Sequence, residues 1–130
     1  DFTGANLTGV DLSRADLTES VLENAQIKNS FLTGADIRNA NLKNSNLEGS
    51  DLSGTKLVKT NLQQANLKAA NLHRSDLEHA DLSRADLSQA NLSGAKLSDA
   101  NFSNTILSNA DLSAADTTDT NFTDAKDLKK

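Results

Sequence analysis

Every fifth position of the chain is Leu, Ile or Phe, in one register that opens at Phe2, Leu7, Leu12 and Leu17 and runs to Phe122. Of 26 such centres 24 are apolar, and the exceptions, Thr117 and Asp127, lie near the C-terminus. Two residues before each centre stands a small residue: Ala in 15 of 26 units, Ser in 5, Thr in 4, with Val10 and Lys130 the remainder. Asp or Asn precedes the centre directly in 19 of 26 units, and the two positions after it are mostly polar. An α-helix cannot use this pattern. Five steps of roughly 100° turn successive centres by about 140°, which smears them around the cylinder. A long flat strand fails as well, because an odd period sends alternate centres to opposite faces. A short extended stretch followed by a corner succeeds. The small residue and the centre point in, their polar neighbours point out, and a turn at the fifth residue returns the chain. Units this small cannot bury their own apolar side chain, so they must stack into an all-β solenoid.

The corner carries its own signal. All six Gly (Gly4, Gly9, Gly34, Gly49, Gly54, Gly94) fall two residues after a centre, and Asn24, Asn29, Asn39, Asn44, Asn104 and Asn109 share that position. Gly and Asn tolerate the positive φ that a type II turn requires at its third residue. Absence of Pro fits a backbone whose N–H groups are all needed by neighbouring coils.

Composition sharpens this picture in a few places. A chain of 130 residues is one domain by length. A net charge of −5 argues against direct binding of nucleic acid or of an anionic membrane. No stretch is long and apolar enough to insert across a bilayer. The chain has no Cys, so disulfides, thiol nucleophiles and thiolate metal sites are excluded and the compartment stays open. It starts at Asp1-Phe2 already in register, without Met, signal peptide or targeting segment, as one domain of a larger protein would.

Units such as Ala15-Asp16-Leu17, Ala65-Asn66-Leu67 and Ala90-Asn91-Leu92 resemble the pentapeptide-repeat family, whose motif is A-(D/N)-L-x-x, over essentially the whole chain. The resemblance implies a right-handed quadrilateral β-helix with four pentads per coil. Its 26 pentads then make about six and a half coils, a rod about 31 Å long at roughly 4.8 Å per coil. Residues twenty apart should stack, with Leu12, Leu32, Leu52, Leu72, Leu92 and Leu112 in one internal ladder and Leu47, Leu67, Leu87 and Leu107 in another. Each buried centre contributes about 1.5–3 kcal/mol before entropy. The small inward residue leaves room for Leu from the adjacent wall, and Ser45, Ser50, Thr55 and Thr60 there need a backbone carbonyl as partner. The solenoid is expected over residues 1–125, with 126–130 a cap or frayed tail in which Asp127-Leu128 repeats the Asp-Leu pair one residue late. No N-terminal cap is visible, so either flanking segments cover that end or two rods stack end to end as a homodimer.

Sorting outward residues by wall gives an uneven surface. The wall centred on Leu17, Ile37, Leu57, Leu77 and Leu97 carries eight acids and four bases, a net of −4, and the remainder of the chain has ten acids and nine bases. The column before its centres reads Asp16, Asp36, Lys56, Asp76, Lys96, Asp116. Each Lys between two Asp reads as an exposed ion ladder, each pair contributing about 0–1 kcal/mol. Its sharper reading is a partner-facing stripe of Asp36, Lys56, Asp76, Lys96 and Asp116, with Phe31 as the apolar anchor. Val21, Phe31 and Ile106 replace Asp or Asn on three walls and Val58 points out on the fourth, a scatter that needs no functional account. His73 and His79 fall on different walls and read as surface residues, not metal ligands. From Ser83 to Ser113 every residue after a centre is Ser, which reads as solvated surface, with no base placed to activate a nucleophile.

No cofactor motif is present, and a filled solenoid without insertions has no cleft for catalysis. The expected function is therefore a rigid protein–protein interaction or scaffold module that binds a protein partner. The family resemblance also implies an alternative, a mimic of B-DNA that binds DNA gyrase or topoisomerase and protects it from inhibitors. About 31 Å of duplex would carry roughly 18 negative charges, against −5 here. The family's abundance in cyanobacteria and plants, thylakoid-lumen members included, leaves the compartment open.

Overall fold

The computed structural model describes residues 1–129, and in it the chain winds so that residues twenty apart pair. Parallel bridges join Asn6 to Gln26, Gln26 to Asn46 and so on, through every residue from Asn6 onward that precedes a centre, as far as Ile106 and Lys126. Four pentads therefore complete one coil, and the protein is a right-handed quadrilateral β-helix. The first wall has centres Phe2, Leu22, Leu42, Leu62, Leu82, Phe102 and Phe122. The second runs from Leu7 to Leu107, the third from Leu12 to Leu112, and the fourth from Leu17 through Ile37 to Thr117. In this order the first wall faces the third and the second faces the fourth.

A pentad that lies between two coils and has Asp or Asn before its centre places all five of its N–H groups, which is why so simple a unit can repeat. The N–H of the centre donates to the next coil, as from Leu47 to the Asn66 carbonyl at 2.7 Å. The corner N–H does the same, as from Gly49 to the Lys68 carbonyl at 2.9 Å. The N–H before the centre donates to the previous coil, as from Asn46 to the Ala25 carbonyl at 2.9 Å. The small residue's N–H closes the turn onto the preceding centre, as from Ser50 to the Leu47 carbonyl at 3.1 Å. The fifth N–H, just after the centre, is met by a side chain. In all 19 units with Asp or Asn before the centre, the Oδ1 of that residue accepts it at 2.9–3.3 Å. This is an Asx turn, and it leaves no donor of the unit without a partner. Sequence reading took Asp and Asn only as outward polar residues and missed this role.

The turns behave as the corner Gly and Asn suggest, but far more generally. Positive φ occurs at every corner from Gly4 to Asp124, whatever the residue: Arg14, Glu19, Lys59, Gln64, Ala69 and His79 all adopt φ of 55–62°. Inter-coil bonds on both sides hold the corner there and override the preference of L-residues. No β-branched residue occupies any of these corners.

Centres from Leu22 to Leu107 are buried, as are the small residues between them from Ala25 to Thr105. Most inward hydroxyls find the carbonyl that their burial demands. Thr55 donates to Leu52 at 2.8 Å, Thr60 to Ile37 at 2.7 Å and Ser50 to Ile27 at 2.5 Å. Ser45 does not: its Oγ is buried without any partner. The Ser50 hydroxyl also accepts the Ser30 N–H at 3.1 Å. It thereby replaces the direct turn bond from Ser30 to Ile27, which is absent at this turn.

Both ends are open. Phe2 is exposed, and Leu7 and Leu12 are only partly covered. At the other end Thr117 stands exposed, and Leu112, Ala115, Phe122 and Leu128 line a hollow of about 240 Å³. Lys126 still pairs with Ile106. Asp127 then turns at φ 60° and lets Leu128, one residue late, pack against the core. Lys130, the last residue of the expected tail, lies outside the described residues. No helix among the described residues is long and apolar enough to cross a membrane.

Candidate interaction surface

The fourth wall brings five of the six candidate residues into one column. Asp36, Lys56, Asp76, Lys96 and Asp116 are joined in that order by successive parallel bridges, with Asp16 below Asp36. Phe31 does not join them. It stands on the third wall between Asp11 and Asp51, half exposed at 52%, one pentad before Asp36. Val21, Val58 and Ile106 are each half-buried, so Phe31 is the large apolar side chain most open to solvent on the walls.

The ion ladder is not formed. Among the described residues neither Lys56 nor Lys96 has a carboxylate oxygen within 4.0 Å; the ion pairs are Lys28–Glu48, Arg38–Asp36 and His79–Asp99. The Asx turn is the reason: it draws each Asp carboxylate over its own turn instead of along the column. Thr18 donates to Asp16 Oδ1 through N–H at 3.1 Å and hydroxyl at 2.7 Å. Asp36 takes Arg38 Nε at 2.8 Å and Nη2 at 2.7 Å, a bidentate pair inside one turn. Asp116 takes the Thr118 hydroxyl at 2.6 Å and, on Oδ2, the Ser98 hydroxyl at 3.2 Å.

These contacts hold the carboxyls below the ordinary Asp range. For Asp16 and Asp116 the largest cause is the side-chain hydrogen bond from the following Thr, with the backbone bond next. For Asp36 it is the hydrogen bond from Arg38, and the charge of Lys56 comes last. The carboxylates of Asp16, Asp36 and Asp116 are thus held in place chiefly by contacts within their own turns.

The two histidines differ. His79 Nε2 lies 3.8 Å from Asp99 Oδ2 at the surface. His73 Nδ1 lies 2.8 Å from Ser93 Oγ, so an imidazole stands beside one of the serines. Ser93 donates its own proton to Asn91 Oδ1 at 2.6 Å. The imidazole is therefore the donor to Ser93, and the pair is a hydrogen-bonded surface chain, not an activated nucleophile. No group of three His, Cys, Asp or Glu able to hold a metal ion occurs among the described residues.

A model of pentapeptide repeats matches residues 1–34, 32–68 and 70–109 in eight copies. The chain belongs to the pentapeptide-repeat family. Two solved pentapeptide-repeat structures resemble it closely. One, from the thylakoid lumen of Arabidopsis thaliana, is 25% identical with a TM-score of 0.73, and the match covers 75% of this chain and 68% of that one. The other is HetL of the cyanobacterium Nostoc, a protein involved in heterocyst differentiation regulation. It is 28% identical with a TM-score of 0.58, covering 92% of this chain and 73% of that one. No curated protein matches the sequence.

Proposed function

We propose that this pentapeptide-repeat protein is a non-catalytic, rigid interaction module whose fourth wall docks a protein partner with a basic face. The observation that carries this reading is the row of carboxylates pinned by their own turns on a wall of net charge −4. Groups already fixed lose little freedom on binding, so their electrostatic attraction is not offset by ordering. Phe31, around the corner on the third wall, supplies an apolar anchor at the margin. A regulatory role fits the likeness to HetL, whose part in heterocyst differentiation is also regulatory.

The test uses a substitution that keeps every Asx turn. Asp16→Asn, Asp36→Asn, Asp76→Asn and Asp116→Asn together remove four charges but leave Oδ1 in place. Partners captured by the unaltered protein should elute with salt and be lost by the fourfold variant, and Phe31→Ser should weaken them further. Equal capture by both proteins removes the fourth wall from the reading. The DNA-mimic alternative has its own measurement: supercoiling by gyrase with and without the protein. Unchanged supercoiling and inhibitor sensitivity at micromolar protein would exclude it.

A further inference from the structure

A trough of about 340 Å³ runs along the first wall, near its corner with the second, away from the stripe described above. It exists because the residue after the centre changes length up the column. Lys43 and Gln63 are long; Ser83 and Ser103, in the next two coils, are short and form the floor. Arg84 and Asp81 stand on either side. The volume lies at the small end of those that hold small molecules.

Its hydrogen-bonding balance is one-sided. Both oxygens of Asp81 are engaged within the protein: Oδ1 accepts the Ser83 N–H at 3.0 Å and Oδ2 accepts Gln63 Nε2 at 2.7 Å. The donors are not. Among the described residues Lys43 and Arg84 have no carboxylate within 4.0 Å. At three other turns, Ser53, Ser88 and Ser93 bend their hydroxyls back onto their own Asp or Asn. Ser83 and Ser103 make no such bond, although Asp81 and Asn101 are there to receive it. The trough thus offers an ammonium, a guanidinium and two hydroxyls around one carboxylate already engaged on both oxygens, a local charge of +1 on a chain of −5. We infer that it binds a small oxyanion-bearing ligand of about the size of a phosphorylated or carboxylated monosaccharide, with Arg84 and Lys43 gripping the anion and Ser83 and Ser103 meeting its hydroxyls.

Amide NMR titrations with a hexose monophosphate, the parent hexose and inorganic phosphate test this. The phosphate ester should produce saturable shifts confined to the neighbourhood of Ser83, Arg84 and Ser103, and the neutral hexose none. R84Q and K43Q should each weaken binding by about tenfold or more, the loss expected for a charge-assisted hydrogen bond. Both variants should fold, because Gln64 and Gln89 already occupy the corner position of Arg84 at φ 60° and 62°, and Gln63 occupies the column position of Lys43. Inorganic phosphate binding as tightly as the ester would support the oxyanion site and assign it to the free anion. The inference is overturned if the neutral hexose binds equally, if the shifts spread over all basic residues, if R84Q leaves binding intact, or if no probe produces a localised shift.

Discussion

At the scale of single residues, the interior separates two serines that look alike in sequence. Ser45 and Ser50 both replace the inward Ala, and both are 1% exposed. Ser50 bridges two coils, donating to the Ile27 carbonyl and accepting the Ser30 N–H. Ser45 Oγ has no partner. A buried hydroxyl without a partner carries its desolvation cost uncompensated, whereas removal of a bridging one orphans the groups it served. Ser45→Ala should therefore raise the unfolding free energy by about 1–2 kcal/mol, and Ser50→Ala should lower it by about 1–3 kcal/mol. Urea denaturation of the two variants reads both signs, and a Ser45→Ala variant less stable than the parent would refute the assignment. That such residues need partners was legible from the sequence. Which one fails to find a partner depends on how neighbouring coils pack, which a repeat motif does not encode.

The pentad as an element explains the preference for Asp and Asn and shows where the chain departs from it. Centre, small residue and corner were all readable, because burial and positive φ each favour a narrow set of side chains. The Asx turn was not, since an outward Asp looks the same whether it faces water or its own backbone. The same omission produced the expected ion ladder: stacking of columns is a backbone fact, but the carboxylate's direction is set by its turn. Lys96 is a unit without the cap, and the Ser98 N–H lacks the acceptor its counterparts have. Lys96→Asn should restore that bond and stabilise the protein by about 0.5–1.5 kcal/mol, seen as a higher urea midpoint with unchanged slope. The corner gives a second test. Ala69 is held at φ 56° and is exposed, so packing plays little part. Ala69→Gly should gain about 0.5 kcal/mol, the left-handed penalty removed less the extra freedom of Gly in the unfolded chain. Ala69→Val should lose about 1–3 kcal/mol. If both variants matched the parent, the corners would not be strained.

For the whole molecule, repetition turns local effects into global ones. Asp11, Asp16, Asp36, Asp111 and Asp116 all have lowered pKa values, in each case first through a side-chain hydrogen bond from the residue two positions on. The native state then binds fewer protons than the unfolded chain below the ordinary Asp value of about 3.9. Stability from these groups should be complete above about pH 5 and should fall as pH drops through the lowered native values, a decline that urea midpoints across the acid range would reveal. The four-sided section itself is not a consequence of a five-residue period, since three or five sides would keep every Leu inside. It came from family resemblance, and the twenty-residue bridges establish it. The closure also dictates how the rod can be shortened. Contacts run only between adjacent coils, so stability is a sum over coils and their interfaces. Excising residues 61–80 removes one full coil and brings Asn41 under Asp81 with every column preserved. The shortened protein should fold, with a urea slope reduced in proportion to 20 residues of 130. Excising Asn61 alone should be far worse, since every later centre moves one place out of register and the following Leu can no longer all face inward. If removal of one residue proved as tolerable as removal of twenty, columns would not be what holds this rod together.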